Sequence, residues 1–181
     1  MNEKRLLQSD TVCLRALEPT DLEKIWQWEN DTALWTVSNT LAPYSKHQIW
    51  QYLQDNDGDI YRTKQLRLII VANDDNEPAG CVDLFDFNPQ HGRAEVGLML
   101  DERYRGRGLA DDVLRLLLEY ARETLALNQL YVYIDARHTA VRDIFLRCGF
   151  TETATLRQWV RRGRSYADVT FLQTFLNDQN P

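Results

Sequence analysis

Between Leu66 and Tyr120 the spacing of apolar residues changes from every second position to every third and fourth, and this change limits the available folds more than any other feature. "LRLIIVA", "AGCVDLFDF" and "RAEVGLML" are short β-prone runs, separated by the turn formers "NDDNEP" and "NPQHG". Runs so closely spaced predict an antiparallel meander, since a parallel crossover needs a dozen or more residues. The segment after them carries Leu109, Val113, Leu116, Leu117 and Tyr120 on one helical stripe, which predicts a long helix running to about Leu127.

The flanking segments complete the pattern. "TVCLRALEPTDLEKIWQW" reads as a strand and then a helix, with Pro19 near the helix start and Leu22, Ile25 and Trp26 at helical spacing. In "SKHQIWQYLQDNDGD", Ser45 can cap a second helix, Ile49, Trp50 and Leu53 share its face, and Gly58 can end it. Downstream, "QLYVYIDA" is a strand, "TAVRDIFLRCGF" a shorter helix with Gly149 as C-cap, and "TLRQWVRRGRSYADVTFLQTFL" two strands joined at "RRGRS". The order predicts an α+β fold, in which helices flank a mixed, mostly antiparallel central sheet. A chain of 181 residues without a visible linker reads as one domain spanning 1–181.

The formal charge of −6 repels nucleic acid and anionic membrane surfaces and favours neutral or cationic partners. The basic "WVRRGRSY" therefore reads as a solvated hairpin turn or an interface edge, not a nucleic-acid site. Cys13, Cys81 and Cys148 are far apart and odd in number, which suits reduced thiols. His47, His91 and His138 are equally scattered, so no metal site is expected. With neither a signal-like amino terminus nor an apolar run of spanning length, the expected location is the cytoplasm, away from membranes.

Against this acidic background, "RYRGRG" places three arginines and two glycines between the strand "EVGLML" and the long helix. Helix N-termini carry unpaired N–H groups and partial positive charge, and glycines let an anion approach them closely. The turn therefore reads as an anion cradle, or else as an ordinary strand-to-helix turn with glycines for geometry and arginines on a solvated face. It is not a G-x-x-x-x-G-K-[ST] loop, and Asp111 stands where a dinucleotide G-x-G-x-x-G loop needs its third glycine.

"EVGLMLDERYRGRGLADDVLRLLLEYA" resembles the acetyl-CoA segment of the GNAT superfamily of N-acetyltransferases, with Arg103, Gly106 and Gly108 in the defined places of its loop. "LRALEPTDLEKIW", "AGCVDLFDFNPQHGRAEVGLML" and "RDIFLRCGF" resemble the family's first strand and helix, its central meander and its late helix. The resemblance is closest to the spermidine and ribosomal-protein branches. It implies the GNAT fold with a strand splayed at the acetyl-CoA site, acetyl-CoA as co-substrate, and transfer to a primary amine by direct attack. It further implies that Gly97, Leu98, Met99 and Leu100 meet the pantetheine arm, that Arg105, Gly106, Arg107, Gly108, Leu109 and Ala110 hold the phosphates, and that a homodimer or larger homo-oligomer can form.

Such a reaction needs an acceptor for the amine proton and often an acid for the leaving thiolate. Glu95, in the strand ahead of the loop, is the candidate base. The family's usual tyrosine acid falls on Phe145, which cannot donate a proton and whose place in the motif implies only a contact with the cofactor. Water, Tyr104 or another hydroxyl then protonates the thiolate, or else the protein is a non-catalytic acyl-CoA sensor. His138 falls where the family often has a cofactor-contacting Asn. Asp83 and Asp86, three apart and so on opposite strand faces, read with Glu95 either as carboxylates of a polyamine cleft or as cross-strand partners of Arg67 and Arg93. Glu29, Asp31 and Trp35 are further candidates for an acceptor pocket. A protein N-terminus is the alternative acceptor, and a phosphate-binding protein unrelated to coenzyme A remains as a third reading.

Overall fold

The computed structural model describes residues 6–38 and 40–177. Seven strands form one sheet in the order β1-β2-β3-β4-β5-β7-β6. They are β1 Val12–Arg15, β2 Leu66–Ala72, β3 Glu77–Asn88, β4 Arg93–Leu100, β5 Gln129–Asp135, β6 Thr151–Arg162 and β7 Ser165–Phe175. The helices are α1 Leu22–Glu29, α2 Trp35–Ser38, α3 Lys46–Asp55, α4 Ile60–Thr63, α5 Leu109–Glu123 and α6 Thr139–Arg147. Neighbouring strands are antiparallel except β4 and β5, which run parallel around the α5 crossover. The meander and the mixed sheet are those the periodicity predicts. The short helices α2 and α4 had no such signal, because a single turn is too short to establish a period.

Side-chain alternation divides the core between the two faces of the sheet. Leu68, Ile70 and Ala72 of β2 join the larger cluster, with Val113, Leu114 and Leu117 of α5 and Phe145 of α6. Ile69 and Val71 face the other way, against Ile25 and Trp28 of α1 and Ile49 of α3. Burial on both faces explains why "LRLIIVA" is continuously apolar where a half-exposed strand would alternate.

Two helix expectations are corrected. Trp50 is 47% exposed and stacks on His47, with ring centroids 6.3 Å apart. It follows the buried Ile49 by about 100° of helical rotation, which carries it off the core face. Helix α5 stops at Glu123, short of Leu127, because Ala126 adopts a left-handed φ of 50° and turns the chain into β5. Leu127 is nevertheless buried, and its N–H donates to the Ala121 carbonyl at 3.0 Å. Gly149, at φ 91°, follows α6 as its sequence position predicts.

Gly80 faces a bulge in β2 and lies opposite Leu100 of β4. A Cβ placed there would stand 2.1 Å from the Met99 carbonyl oxygen, which is backbone and cannot swing aside. Gly80→Ala is expected to destabilise the protein by about 2–3 kcal/mol, through forced displacement of β4. Chemical denaturation against the parent protein measures this.

Candidate active site

The parallel pairing of β4 with β5 is brief: Arg93, Ala94 and Glu95 lie opposite Gln129, Leu130 and Tyr131, and the ladder ends there. Beyond Glu95 the strands part. From Val96 to Leu100, β4 pairs only with β3, so its β5-facing backbone groups meet no strand. Gly97, Leu98, Met99 and Leu100 all lie in this splayed segment. An extended, amide-containing ligand lying there could complete the ladder as a strand would.

The splay leads directly into the glycine loop. Gly106 and Gly108 have φ of 71° and 80°, and a Cβ added to either would meet open space. Gly108 is the N-cap of α5 and supplies no side-chain cap. The N–H groups at the start of Leu109–Glu123 therefore face an open approach, a suitable seat for a pyrophosphate. The Leu109 and Ala110 side chains are buried, so their backbone is what they can offer an anion.

All three loop arginines already have partners, Arg103 pairing with Asp75 at 3.8 Å. Arg107 pairs with Asp74, and the Arg105 Nε donates to the Leu100 carbonyl at 2.9 Å. His138 is exposed at the N-cap of α6, with no capping bond from its side chain.

Burial corrects two of the expected roles. Tyr104 is 1% exposed, and its hydroxyl donates to Asp75 at 2.7 Å, in the turn between β2 and β3. That bond, with burial, raises the phenol above its usual pKa. The side chain pins the loop to this turn and is not a free acid. Phe145 is also 1% exposed, packed edge-on against Phe150 with centroids 5.0 Å apart. In this conformation it is a core residue and offers no open ligand surface.

Of the two readings of the acidic residues on the meander, Asp83 takes the cross-strand one, with Arg67. The Asp83 carboxylate accepts from Arg67 Nε at 2.7 Å and from its Nη2 at 3.3 Å, while Arg67 Nη1 reaches Glu29 at 2.5 Å. With Asp83 only 4% exposed, both carboxylates serve to neutralise a buried guanidinium. Asp31 accepts from the Ala33 N–H at 2.9 Å as a turn cap, and the Trp35 indole donates to the Glu29 carbonyl at 2.9 Å. Asp83 and Glu29 thus hold α1 to the sheet through Arg67, while Asp31 and Trp35 bond within the turn after α1.

Asp86 departs from strand parity. The ladder between β3 and β4 is irregular from Phe85 to Asn88, and Asp86 has a left-handed φ of 44°. A bulge inserts one residue and returns the next side chain to the same face. Asp86 consequently accepts a hydrogen bond from Tyr131 at 2.8 Å, on the face that Asp83 shares with Gly97 and Phe85. Asp83 and Asp86 do not point to opposite faces.

Glu95 stands at the last paired position before the splay, half-buried, with its carboxyl held above the usual range by burial and then by the negative charge of Asp86. Such a carboxylate accepts a proton at higher pH than a solvated one. Beside it opens a groove of about 350 Å³, lined by Asp86, Arg93, Gln129, Tyr131, Tyr133, Phe171 and Gln173. The Tyr131, Tyr133 and Phe171 rings lie mutually 5.1 to 5.8 Å apart. Their signal in the sequence is the alternating Tyr131 and Tyr133 of "YVYI", two aromatics on the strand face opposite Val132 and Ile134. Phe171 carries no local signal, because only the β5–β7 register brings it to Tyr133.

The basic run near the C-terminus is partly structural. Arg162 is 11% exposed at its side chain and pairs at 3.0 Å with buried Asp135, which also binds Arg137 at 2.9 Å. These partners hold the Asp135 carboxyl well below the usual range. No helix among the described residues is long and apolar enough to cross a membrane.

A family model described as "Acetyltransferase (GNAT) domain" matches residues 11–151. The spermidine N(1)-acetyltransferase of Escherichia coli strain K12 is 29% identical over 144 residues, covering 78% of this chain and 73% of that protein. A putative ribosomal N-acetyltransferase of Bacillus subtilis strain 168 is 21% identical over 178 residues, covering 90% of each. The crystal structure of spermidine N-acetyltransferase from Vibrio cholerae, in complex with CoA and spermine, matches with a TM-score of 0.83 at 21% identity, covering 93% of this chain and 97% of that one.

Proposed function

The chain belongs to the GNAT acetyltransferase family and is an acetyl-CoA-dependent N-acetyltransferase; from that premise we propose that its acceptor is a small primary amine of the polyamine class, such as spermidine. The observation that carries this reading is the groove beside Glu95, where the Asp86 carboxylate and three aromatic rings adjoin the point at which β4 and β5 part. Carboxylates and ring faces both favour ammonium groups. Support also comes from the spermidine N-acetyltransferases to which the chain is similar.

Acetyl-CoA brings an activated acyl group and a thiolate leaving group. The backbone of Gly97–Leu100 is suited to align its amide arm, and the N–H groups at the start of α5 to hold its diphosphate. Glu95, directly or through one water, takes the proton that an ammonium must lose before nitrogen attacks. One N–C bond forms and one C–S bond breaks. With Phe145 apolar and Tyr104 committed to Asp75, water protonates the departing thiolate.

Coenzyme A release, followed as free thiol, tests the acceptor class with spermidine, spermine, an N-terminal peptide and simple monoamines. Release dependent on the polyamines is expected. Release with the peptide alone would overturn the polyamine assignment in favour of a protein N-terminus.

A further inference from the structure

The groove carries more information than a preference for cations. It lies on the face that β4 and β5 share with Glu95, and its floor runs along β5 from Gln129 through Tyr131 to Tyr133. The four residue steps from Gln129 to Tyr133 correspond to roughly 13 Å. The antiparallel register sets Phe171 against Tyr133, Gln173 against Tyr131 and Phe175 against Gln129. Asp86 reaches the middle row through its bond from the Tyr131 hydroxyl, whereas Arg93 pairs with Gln129 in the end row, away from the splay.

The charges along the groove are thus ordered. Next to the splay are the exposed Tyr133 ring and Phe171, followed by the middle row of the half-buried Glu95 carboxyl, Asp86 and the Tyr131 hydroxyl, and finally Arg93. Burial and the bond to Asp86 keep the Tyr131 phenol protonated. Among the described residues neither Glu95 nor Arg93 is committed to a hydrogen bond or an ion pair. An acceptor whose reacting nitrogen lies at the splay, by the Tyr133 and Phe171 rings, would extend to the middle row of Glu95 and Asp86 and then meet a guanidinium.

Resting on the acceptor reading above, we propose that this groove is a length-selective subsite. It takes a second ammonium group between the Asp86 carboxylate and the rings of Tyr131, Tyr133 and Phe171, and Arg93 repels a third. The acceptor it fits best is a linear diamine, or a polyamine whose remaining nitrogens do not pass Arg93. Gln173 in the middle row and Gln129 in the end row supply neutral hydrogen-bonding groups.

The test compares butylamine, 1,4-diaminobutane and spermine in steady-state kinetics with the parent protein and with Asp86→Asn, Tyr133→Ala and Arg93→Gln. Asp86→Asn and Tyr133→Ala are expected to raise KM for the diamine by about fivefold to tenfold, with a much smaller change for butylamine and none for acetyl-CoA. Arg93→Gln is expected to lower KM for spermine more than for the diamine. Equal effects on butylamine and diaminobutane, or no gain for spermine, would overturn the proposal.

Calorimetric binding of the same three amines to the same variants, with coenzyme A present, supplies a second readout. If no amine is acetylated, the transferase reading falls by itself, and the ratio of diamine to monoamine affinity still decides for or against the groove. Tyr133 is 40% exposed and packs little core, so its alanine variant should fold, and unchanged coenzyme A binding checks this.

Discussion

Glu95→Gln is expected to lower kcat by about 10²–10⁴-fold while leaving the KM for acetyl-CoA nearly unchanged, because the amide keeps the shape of the side chain but cannot take a proton. Steady-state rates with a polyamine acceptor measure this directly. In the parent protein, burial and Asp86 hold the Glu95 carboxyl above the usual range. The acid limb of the kcat profile, where Glu95 becomes protonated and activity is lost, should therefore lie above that of an ordinary glutamate. Asp86→Asn removes the like charge and should move the limb to lower pH. A profile that does not move when Asp86 is neutralised would remove Glu95 from the role of base, even if its own substitution slows the enzyme.

Arg67→Ala is expected to have the largest effect on stability, about 3–5 kcal/mol, because it strands the Asp83 carboxylate in the core beside Glu29. Thermal and denaturant unfolding measure the loss. Adding Asp83→Asn to Arg67→Ala should recover part of it, since a buried amide costs less than a buried charge. The pH dependence has a defined sign. Burial raises the Asp83 carboxyl, and in the parent Arg67 opposes that rise. Once Arg67 is gone, the folded protein holds the proton on Asp83 more tightly than the unfolded chain does. Its stability deficit should be smallest at acid pH and grow as pH rises through the raised folded-state value. A deficit independent of pH would mean that Asp83 finds another partner.

Read from the residues alone, the meander, the long crossover helix and the glycine loop were all legible, because each rests on interactions within a few residues. Period-two apolar runs bury a strand face, a stripe at three and four buries a helix face, and glycines at Gly106 and Gly108 supply left-handed backbone whatever lies across the fold. Outcomes that depend on distant partners were not legible. Arg67 could be read as a cross-strand partner of Asp83, but that it also binds Glu29 depends on how α1 packs on the sheet. Phe145 falls in the place of a tyrosine acid, yet its ring completes the core beside Phe150.

The groove shows the same division. Tyr131 and Tyr133 are visible as an alternating aromatic pair, but Phe171 joins them only because β7 inserts antiparallel beside β5. Asp86 shares the face of Asp83 only because one left-handed residue breaks the alternation, and nothing in "DLFDFN" marks that bulge. By itself the sequence determined which of the longer elements form and where an anion can rest, since local periodicity and backbone freedom are short-range properties. The tertiary structure decided which carboxylates are neutralised in the core and which stand near the splay without a cationic partner among the described residues, because charge pairing across a sheet depends on register, and a single bulge reverses the face a side chain occupies.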